Sequence, residues 1–499
     1  MNFIQPLKIL VVSLVLLTPG LWFVFTGPVP GFEQKQQTEF PRAASVFLPS
    51  PVYRVQMADA IFERSAARRF SIQTMNALHL YGFGFIDTAG AISGTGRWLF
   101  YKPQFRVWDC DRHQVLQRKL DRFTLINQLL TASDIPLVFA LAPNKASIER
   151  EHLGGRTSRY LECYFKFEQQ FTAATSNLNP RYFVDHSNVL SDLPAGQSAY
   201  LQFDTHWTQA SAVDAMNQLF ESRPGVLGIP LYDPETRSEQ AYMDILNLML
   251  LLEHEETMTV PVSVKPAVEE IEAAQLASNV LFIHDSFYGR ILPYLRDRSP
   301  NAYFQQVLAG DDVPVRKNLD RADVVVVEMI QRDFLDFIWS DSIFGWGSIF
   351  AEWMLDEMAV ATRQCNWASA EDLLSDRSEG RTVMRNVQTP GEQLRMKGSQ
   401  KSRILFRLPD DMAPGRVCLR LQLDALDSGA VKLYFSAPGA NRKQPGYSGA
   451  MMVSKRVDRG RNTLALVLPE AFRGRWLRLD PIDHDGEFTI HTLDTTSFD

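Results

Sequence analysis

Leu281-Phe282-Ile283-His284-Asp285-Ser286-Phe287-Tyr288-Gly289-Arg290 is the stretch whose reading decides the fold of this chain. The run Asn279 to Ile283 is short, rich in β-branched and aromatic residues and without alternation, which predicts a buried strand. The run stops at His284-Asp285-Ser286, and Gly289 follows. Open α/β sheets bind their ligands at the carboxyl ends of the strands, where Ser286 would stand. A serine hydroxyl is a weak nucleophile until a base takes its proton and a third group orients that base. Upstream, Gln202-Phe203-Asp204-Thr205-His206-Trp207-Thr208 offers both. In an extended segment Asp204 and His206 share one side, because side chains alternate with period two. The expectation is that Ser286 attacks, His206 takes its proton and Asp204 holds the imidazole. The bland alternative is a pair of unrelated surface polar clusters.

Asp204-Thr205-His206-Trp207-Thr208 and Asp285-Ser286-Phe287 together resemble the SGNH-hydrolase-like alginate O-acetyltransferase family, the AlgX and AlgJ type. In that family Asp-x-His precedes the serine, as it does here. Gly96-Arg97-Trp98-Leu99-Phe100-Tyr101 resembles the family's Gly-x-Trp-Leu-Phe-Tyr block, and Leu141-Ala142-Pro143-Asn144-Lys145 its Pro-Asn-Lys turn after a strand. Ala322 to Glu328 resembles its late strand, with Gln331-Arg332 following. The likeness covers roughly residues 80 to 345. It implies a serine acyl-enzyme on Ser286, with His206 as base and Asp204 as orienting group. It also puts Tyr101, Lys145 and Arg332 in blocks near the substrate, although packing or ion pairing would suit each equally. His284, where the family often carries a small residue, would either crowd the serine turn or be a second imidazole near the site.

The remaining composition is that of a folded protein: 45% apolar, 22% charged and a net charge of −7. Disordered and strongly basic nucleic-acid-binding classes are thereby excluded, and the length predicts two or three domains. Ile9 to Phe25 is nearly all apolar, Lys8 is the only charge before it, and no Ala-x-Ala pattern follows. Residues 1–30 therefore read as an uncleaved signal anchor, with a cleaved signal peptide as the alternative. Either would put the bulk of the chain outside the cytoplasm, in the periplasm if a single-pass anchor holds it to the cytoplasmic membrane. Residues 31–75 read as a juxtamembrane linker and helical lead-in.

Residues 76–345 read as the SGNH-like catalytic domain. Leu116, Leu120, Phe123, Ile126 and Leu130 share one helix face, Leu137 to Ala142 reads as a strand and Tyr182 to Asp185 as another. Thr208 is placed to cap a helix that buries Ala212, Val213, Met216, Leu219 and Phe220. Arg321 to Glu328 supplies a further buried strand. Strands alternating with helices predict a mostly parallel sheet flanked by helices. Residues 346–384 read as a connector. From 385 to 499 short alternating runs separated by turn residues predict an antiparallel β-sandwich. Its closing run, Arg478 to Pro481 and Gly486 to Ile490, resembles jelly-roll modules of carbohydrate-active proteins. Binding of carbohydrate and a purely structural role are both open for it.

Other residues carry less. Cys110, Cys163, Cys365 and Cys418 form no Cys-x-x-Cys pair, leaving one disulfide, two, or four reduced thiols open. Glu253-His254-Glu255-Glu256 lacks metal-ligand spacing, His152 and His186 have no partners at such spacing, and Asp185 suits a capping role. With no Walker loop and no Gly-x-Gly-x-x-Gly, neither nucleotide nor other cofactor is expected, and no metal or nucleic acid. The reading is thus an α/β O-acetyltransferase with a C-terminal jelly-roll-like sandwich, acting on an exported polysaccharide. The resemblance implies a membrane-bound O-acyltransferase partner as acyl donor. Its rivals are an acetyl esterase using the same triad and a non-catalytic subunit of an export complex.

Overall fold

The computed structural model describes residues 38–39, 51–107, 113–193, 197–222, 227, 236–252, 255–261, 279–289, 292, 302–306, 317–334, 346–374, 382–385, 394–398, 402–410, 415–436, 446–447, 451–481, 483 and 486–498. The anchor expected over 1–30 and the Glu253-His254 pair lie outside them. Among the described residues no helix is long and apolar enough to cross a membrane.

The lead-in is two helices, α1 (Pro51–Glu63) and α2 (Ala66–Ala77). Strand β1 (Ala91–Ser93) then pairs antiparallel with β2 (Leu99–Tyr101). The turn between them runs against the backbone at His152: a Cβ on Gly94 would lie 2.1 Å from that carbonyl oxygen, so only glycine fits. Helix α3 (His113–Ser133) buries the predicted stripe of Leu116, Leu120, Phe123, Ile126 and Leu130. It leads to β3 (Leu137–Ala142), α4 (Leu161–Thr175) and β4 (Phe183–Asp185). Thr208 caps α5 (Gln209–Ser222) as predicted: its Oγ1 accepts the Ser211 N–H at 3.2 Å. An antiparallel pair follows, β5 (Thr236–Tyr242) with β6 (Glu255–Pro261).

The rest of the central sheet is β7 (Val280–His284), β8 (Ala302–Gln306) and β9 (Val324–Ile330). The strand order is β4-β3-β9-β7-β8 and every pairing is parallel. Strands β3, β7 and β9 are buried at every position, which is why their sequences are unbroken apolar runs rather than alternating ones. β9 begins three residues later than the expected start at Arg321, because Arg321 and Ala322 donate to Asn318 and Leu319 in a turn.

Within 346–384 lies α6 (Trp346–Ala361). The sandwich that follows has one sheet in the order β10 (Glu371–Asp372), β19 (Gly486–Ser497), β14 (Val417–Ala425), β17 (Gly460–Leu468), with β12 (Leu394–Gly398) also paired to β19. The other runs β11 (Thr382–Arg385), β13 (Arg403–Arg407), β18 (Trp476–Asp480), β15 (Gly429–Phe435), β16 (Met452–Val457). All pairings in both sheets are antiparallel, as the sequence predicts. One apolar cluster joins the two halves: Leu129 of α3 and Trp353 and Met358 of α6 belong to the same core as Val453 and Leu466 of the sandwich. A disulfide between Cys365 and Cys418 ties the segment after α6 to β14, and Cys163 is disulfide-bonded too.

Candidate active site

The site is assembled at the carboxyl end of β7. Asp285 follows the strand and Ser286 opens a single helical turn, Ser286–Gly289. Asp285 shapes that turn from within. Its Oδ1 accepts the Phe287 N–H at 2.7 Å, and its Oδ2 accepts the Ile330 N–H of the neighbouring strand at 2.7 Å. One buried carboxylate therefore caps the turn and clips it to the end of β9. A second clamp comes from the segment carrying the histidine: the buried Trp207 indole N–H donates to the Phe287 carbonyl at 3.1 Å.

That histidine segment is held by Lys145. The side chain is 2% exposed, and Nζ lies within 2.6–3.0 Å of the carbonyl oxygens of Leu99, Leu201, Gln202 and Asp204. The Gly-x-Trp-Leu-Phe-Tyr block, the Pro-Asn-Lys turn and the Asp-x-His loop thus meet at one ammonium group. The lysine of one stretch thus joins the carbonyls of two others far from it in sequence.

On this frame His206 Nε2 lies 2.9 Å from Ser286 Oγ, and Nδ1 lies 2.7 Å from Asp204 Oδ1. The imidazole carries its proton on Nδ1, donates it to Asp204 and leaves Nε2 to accept the serine hydroxyl. Asp204 is wholly buried, and its Oδ1 also accepts the His206 backbone N–H at 2.9 Å. The three side chains form one continuous line of hydrogen bonds from carboxylate to hydroxyl.

Residues 91–284 match the family model described as SGNH hydrolase-like domain, acetyltransferase AlgX. Over these residues the chain is similar to the AlgX-type SGNH hydrolase-like family. The match reaches the end of β7, just short of Ser286, and leaves the sandwich outside it. Among solved structures, the chain is similar to the O-acetyltransferase domain of Pseudomonas putida AlgJ, at 22% identity over 49% of this chain and 92% of that one, TM-score 0.34. It is similar to Pseudomonas aeruginosa AlgX at 11% identity over 82% of this chain and 94% of that one, TM-score 0.35. Bacillus cereus PatB1 is similar at 13% identity over 49% and 97%, TM-score 0.35. No curated protein sequence matches the chain.

The other residues singled out in the AlgX-type sequence blocks take different places. Arg332 stacks over the rings of Tyr101 and Phe287, its Cζ 4.9 and 5.7 Å from their centroids. The Phe287 ring in turn lies 4.8 Å from that of His206, so Arg332 and Tyr101 stand beside the relay. Lys145, expected near the substrate, is instead buried beneath the loop, where its donors serve backbone carbonyls. His284 is likewise buried, with Nδ1 2.6 Å from the Asp285 carbonyl. His186 is buried between Gln218 Oε1 at 2.7 Å and the Tyr288 hydroxyl at 2.9 Å. Burial pushes its pKa down to about 4, so it is a neutral core histidine.

Two carboxyl groups escape a sequence reading. Asp244 reaches the Asp204–His206 pair from the turn before Ile245–Met249, and burial beside Asp204 raises its pKa to about 6. Nothing in its sequence neighbourhood marks it. Glu328 pairs with His284 across β7 and β9 and is wholly buried, beside Asp285 and Tyr288. Burial and the adjacent Asp285 hold its pKa well above the ordinary value, which favours the neutral carboxylic acid. Its place in an apolar strand, Val324 to Ile330, is the only sequence signal that it is unusual. Asp204, His206 and Asp244 also place ligand-type atoms within 4.8 Å of one another. Those atoms are engaged with one another and with Thr205 and Ser286, an arrangement suited to moving a proton.

Proposed function

We propose that the protein is an O-acetyltransferase that carries an acetyl group on Ser286 and delivers it to a hydroxyl of a polysaccharide. The observation that carries the reading is the unbroken line Asp204–His206–Ser286, with 2.7 and 2.9 Å contacts at the strand end where α/β folds do their chemistry. The family description of residues 91–284 supports the acetyl group as cargo. In the first half-reaction Ser286 Oγ bonds to the acetyl carbonyl carbon while its proton passes to His206 Nε2. Collapse of the tetrahedral adduct expels the donor's oxygen, which takes that proton. In the second half the polysaccharide hydroxyl gives its proton to Nε2, attacks the acyl-serine, and Oγ leaves with the proton. Asp204 keeps the imidazole in the required tautomer and offsets its charge.

The oxyanion needs donors. The Phe287 N–H is committed to Asp285. Arg332, stacked on Tyr101 and Phe287 beside His206, supplies a cationic donor and, with Tyr101, meets the substrate. The acyl donor is presented by a membrane-bound O-acyltransferase, the chain being held at the outer face of the membrane by residues 1–30, with the sandwich gripping the polymer. Incubating the full chain with a small acetyl ester and an oligosaccharide tests the reading. Acetylated oligosaccharide, absent with Ser286→Ala, is expected. Free acetate alone would make the protein an esterase, and an unreactive Ser286 would remove it from catalysis.

A further inference from the structure

The relay of Asp204 and His206 carries one group more than a serine triad needs. Asp244 is tied to it at four points. Its backbone N–H donates to Asp204 Oδ2 at 3.1 Å, and its Oδ1 accepts the Thr205 N–H at 2.7 Å. Its Oδ2 accepts the Thr205 hydroxyl and lies 3.6 Å from His206 Nδ1. Thr205 Oγ1 is itself 3.3 Å from that ring nitrogen. Two carboxylates thus face one imidazole edge, and the residue between Asp204 and His206 is fixed by the second of them.

We infer that Asp244 is a positioning residue of the relay, which locks the Asp204–Thr205–His206 turn and presents a second carboxylate to the imidazolium formed when Ser286 loses its proton. The inference rests on the reading of Ser286 and His206 given above. No proton reaches Asp244 in the step: the Ser286 O–H bond breaks, the Nε2–H bond forms, and Asp244 acts only through its charge. The charged groups acting on Asp244 are Asp204, which disfavours its ionised form, and His206, which favours it; Thr205 supplies hydrogen bonds without charge. Lys145 approaches from the other side and meets the Asp204 carbonyl. An opposite charge within ~4–6 Å favours a charged group, and Asp244 Oδ2 lies 3.6 Å from His206 Nδ1, so an ionised Asp244 faces the positive charge that the proton from Ser286 creates on the ring.

Labelling of Ser286 by a fluorophosphonate, followed across pH with the full chain, reads this without a known substrate. Asp244→Asn keeps an acceptor for the Thr205 N–H and removes the charge. Its acid limb should move about one unit to lower pH, while the plateau rate falls about tenfold. A limb superimposed on the wild type's, with a lower plateau only, would reduce Asp244 to a structural part and overturn the inference. Should Asp244→Asn fail to fold, Asp244→Glu retains the charge, and its limb must stay at the wild-type position; displacement of that limb would overturn the inference equally. A wild-type protein that is not labelled at any pH would sink the nucleophile reading, and the inference with it.

Discussion

Replacing Lys145 by methionine keeps most of the side chain's volume and removes the donor shared by four backbone carbonyls. Hydrogen bonds from a charged donor are each worth about 1.5–3 kcal/mol, and a buried acceptor left alone costs about 1–3. Against this stands the relief of an ammonium held at 2% exposure, which is costly to bury. The balance is a loss of roughly 3–5 kcal/mol, the range found when one partner of a buried charged network is removed. For a domain of this size that corresponds to a drop in Tm of about 10 °C. The damage should also reach the chemistry. Leu201, Gln202 and Asp204 are the residues released, and a displacement of about 1 Å in a reacting group costs on the order of 100-fold. Thermal melting followed by circular dichroism, alongside the rate of Ser286 labelling by a fluorophosphonate, measures both. A Lys145→Met protein that melts within about 2 °C of wild type and labels at the wild-type rate would refute the staple.

Three other outcomes follow from the geometry. Ser286→Ala should abolish acetyl transfer with little change in the urea midpoint, and adding His206→Ala should cost almost nothing further, since the two act as one unit; additive losses would break the relay. His186 is lowered to about 4 from 6.5, so the unfolded chain binds its proton first and the stability it contributes, fully present above pH 6.5, is lost as pH falls toward 4; urea midpoints of wild type and His186→Asn should converge by about 2 kcal/mol between pH 7 and 5, and parallel curves would disprove it. Cys365→Ser with Cys418→Ser opens a 53-residue loop and should lower stability by about 4 kcal/mol on the loop-entropy estimate, with a smaller effect of reductant on the variant than on wild type in the same unfolding assay, since the disulfide at Cys163 remains.

How much of this was legible in the sequence depended on where the determining contacts lie. Strands β3, β7 and β9 of the central sheet were readable because burial on both faces demands unbroken apolar runs, and Leu137 to Ala142 was predicted residue for residue; the edge strand β8, part-exposed, was not seen. The α3 stripe and the Thr208 cap were readable because both are local. In the sandwich, Thr382–Arg385 and Leu394–Gly398 went unseen. Thr382–Arg385 does not alternate and Leu394–Gly398 alternates only over its first four residues, and both become strands by pairing with β13 and β19. Asp204, His206 and Ser286 were legible as residue types, whereas the Lys145 staple was not, because backbone carbonyls leave no trace in sequence. Lys145 and Arg332 looked equivalent in their blocks. One is enclosed by carbonyls and the other stacked on rings, a difference fixed entirely by tertiary position. Asp244 was invisible for the same reason.

The strand order has a meaning for the growing chain. β9 is the last of the five central strands to be synthesised, yet it takes the middle place, between β3 and β7. The Ile330 N–H that clips Asp285 stands at its very end. Lys145, Leu99, Asp204 and His206 all leave the ribosome earlier, so the base can be gathered while the sheet is still open. The serine is made next and waits in a turn that β9 has not yet clipped. Only when the chain has passed residue 330 can β9 enter, close the sheet and set Ser286 against the imidazole. A nascent or prematurely ended chain therefore carries every residue of the relay without the alignment that would let it react.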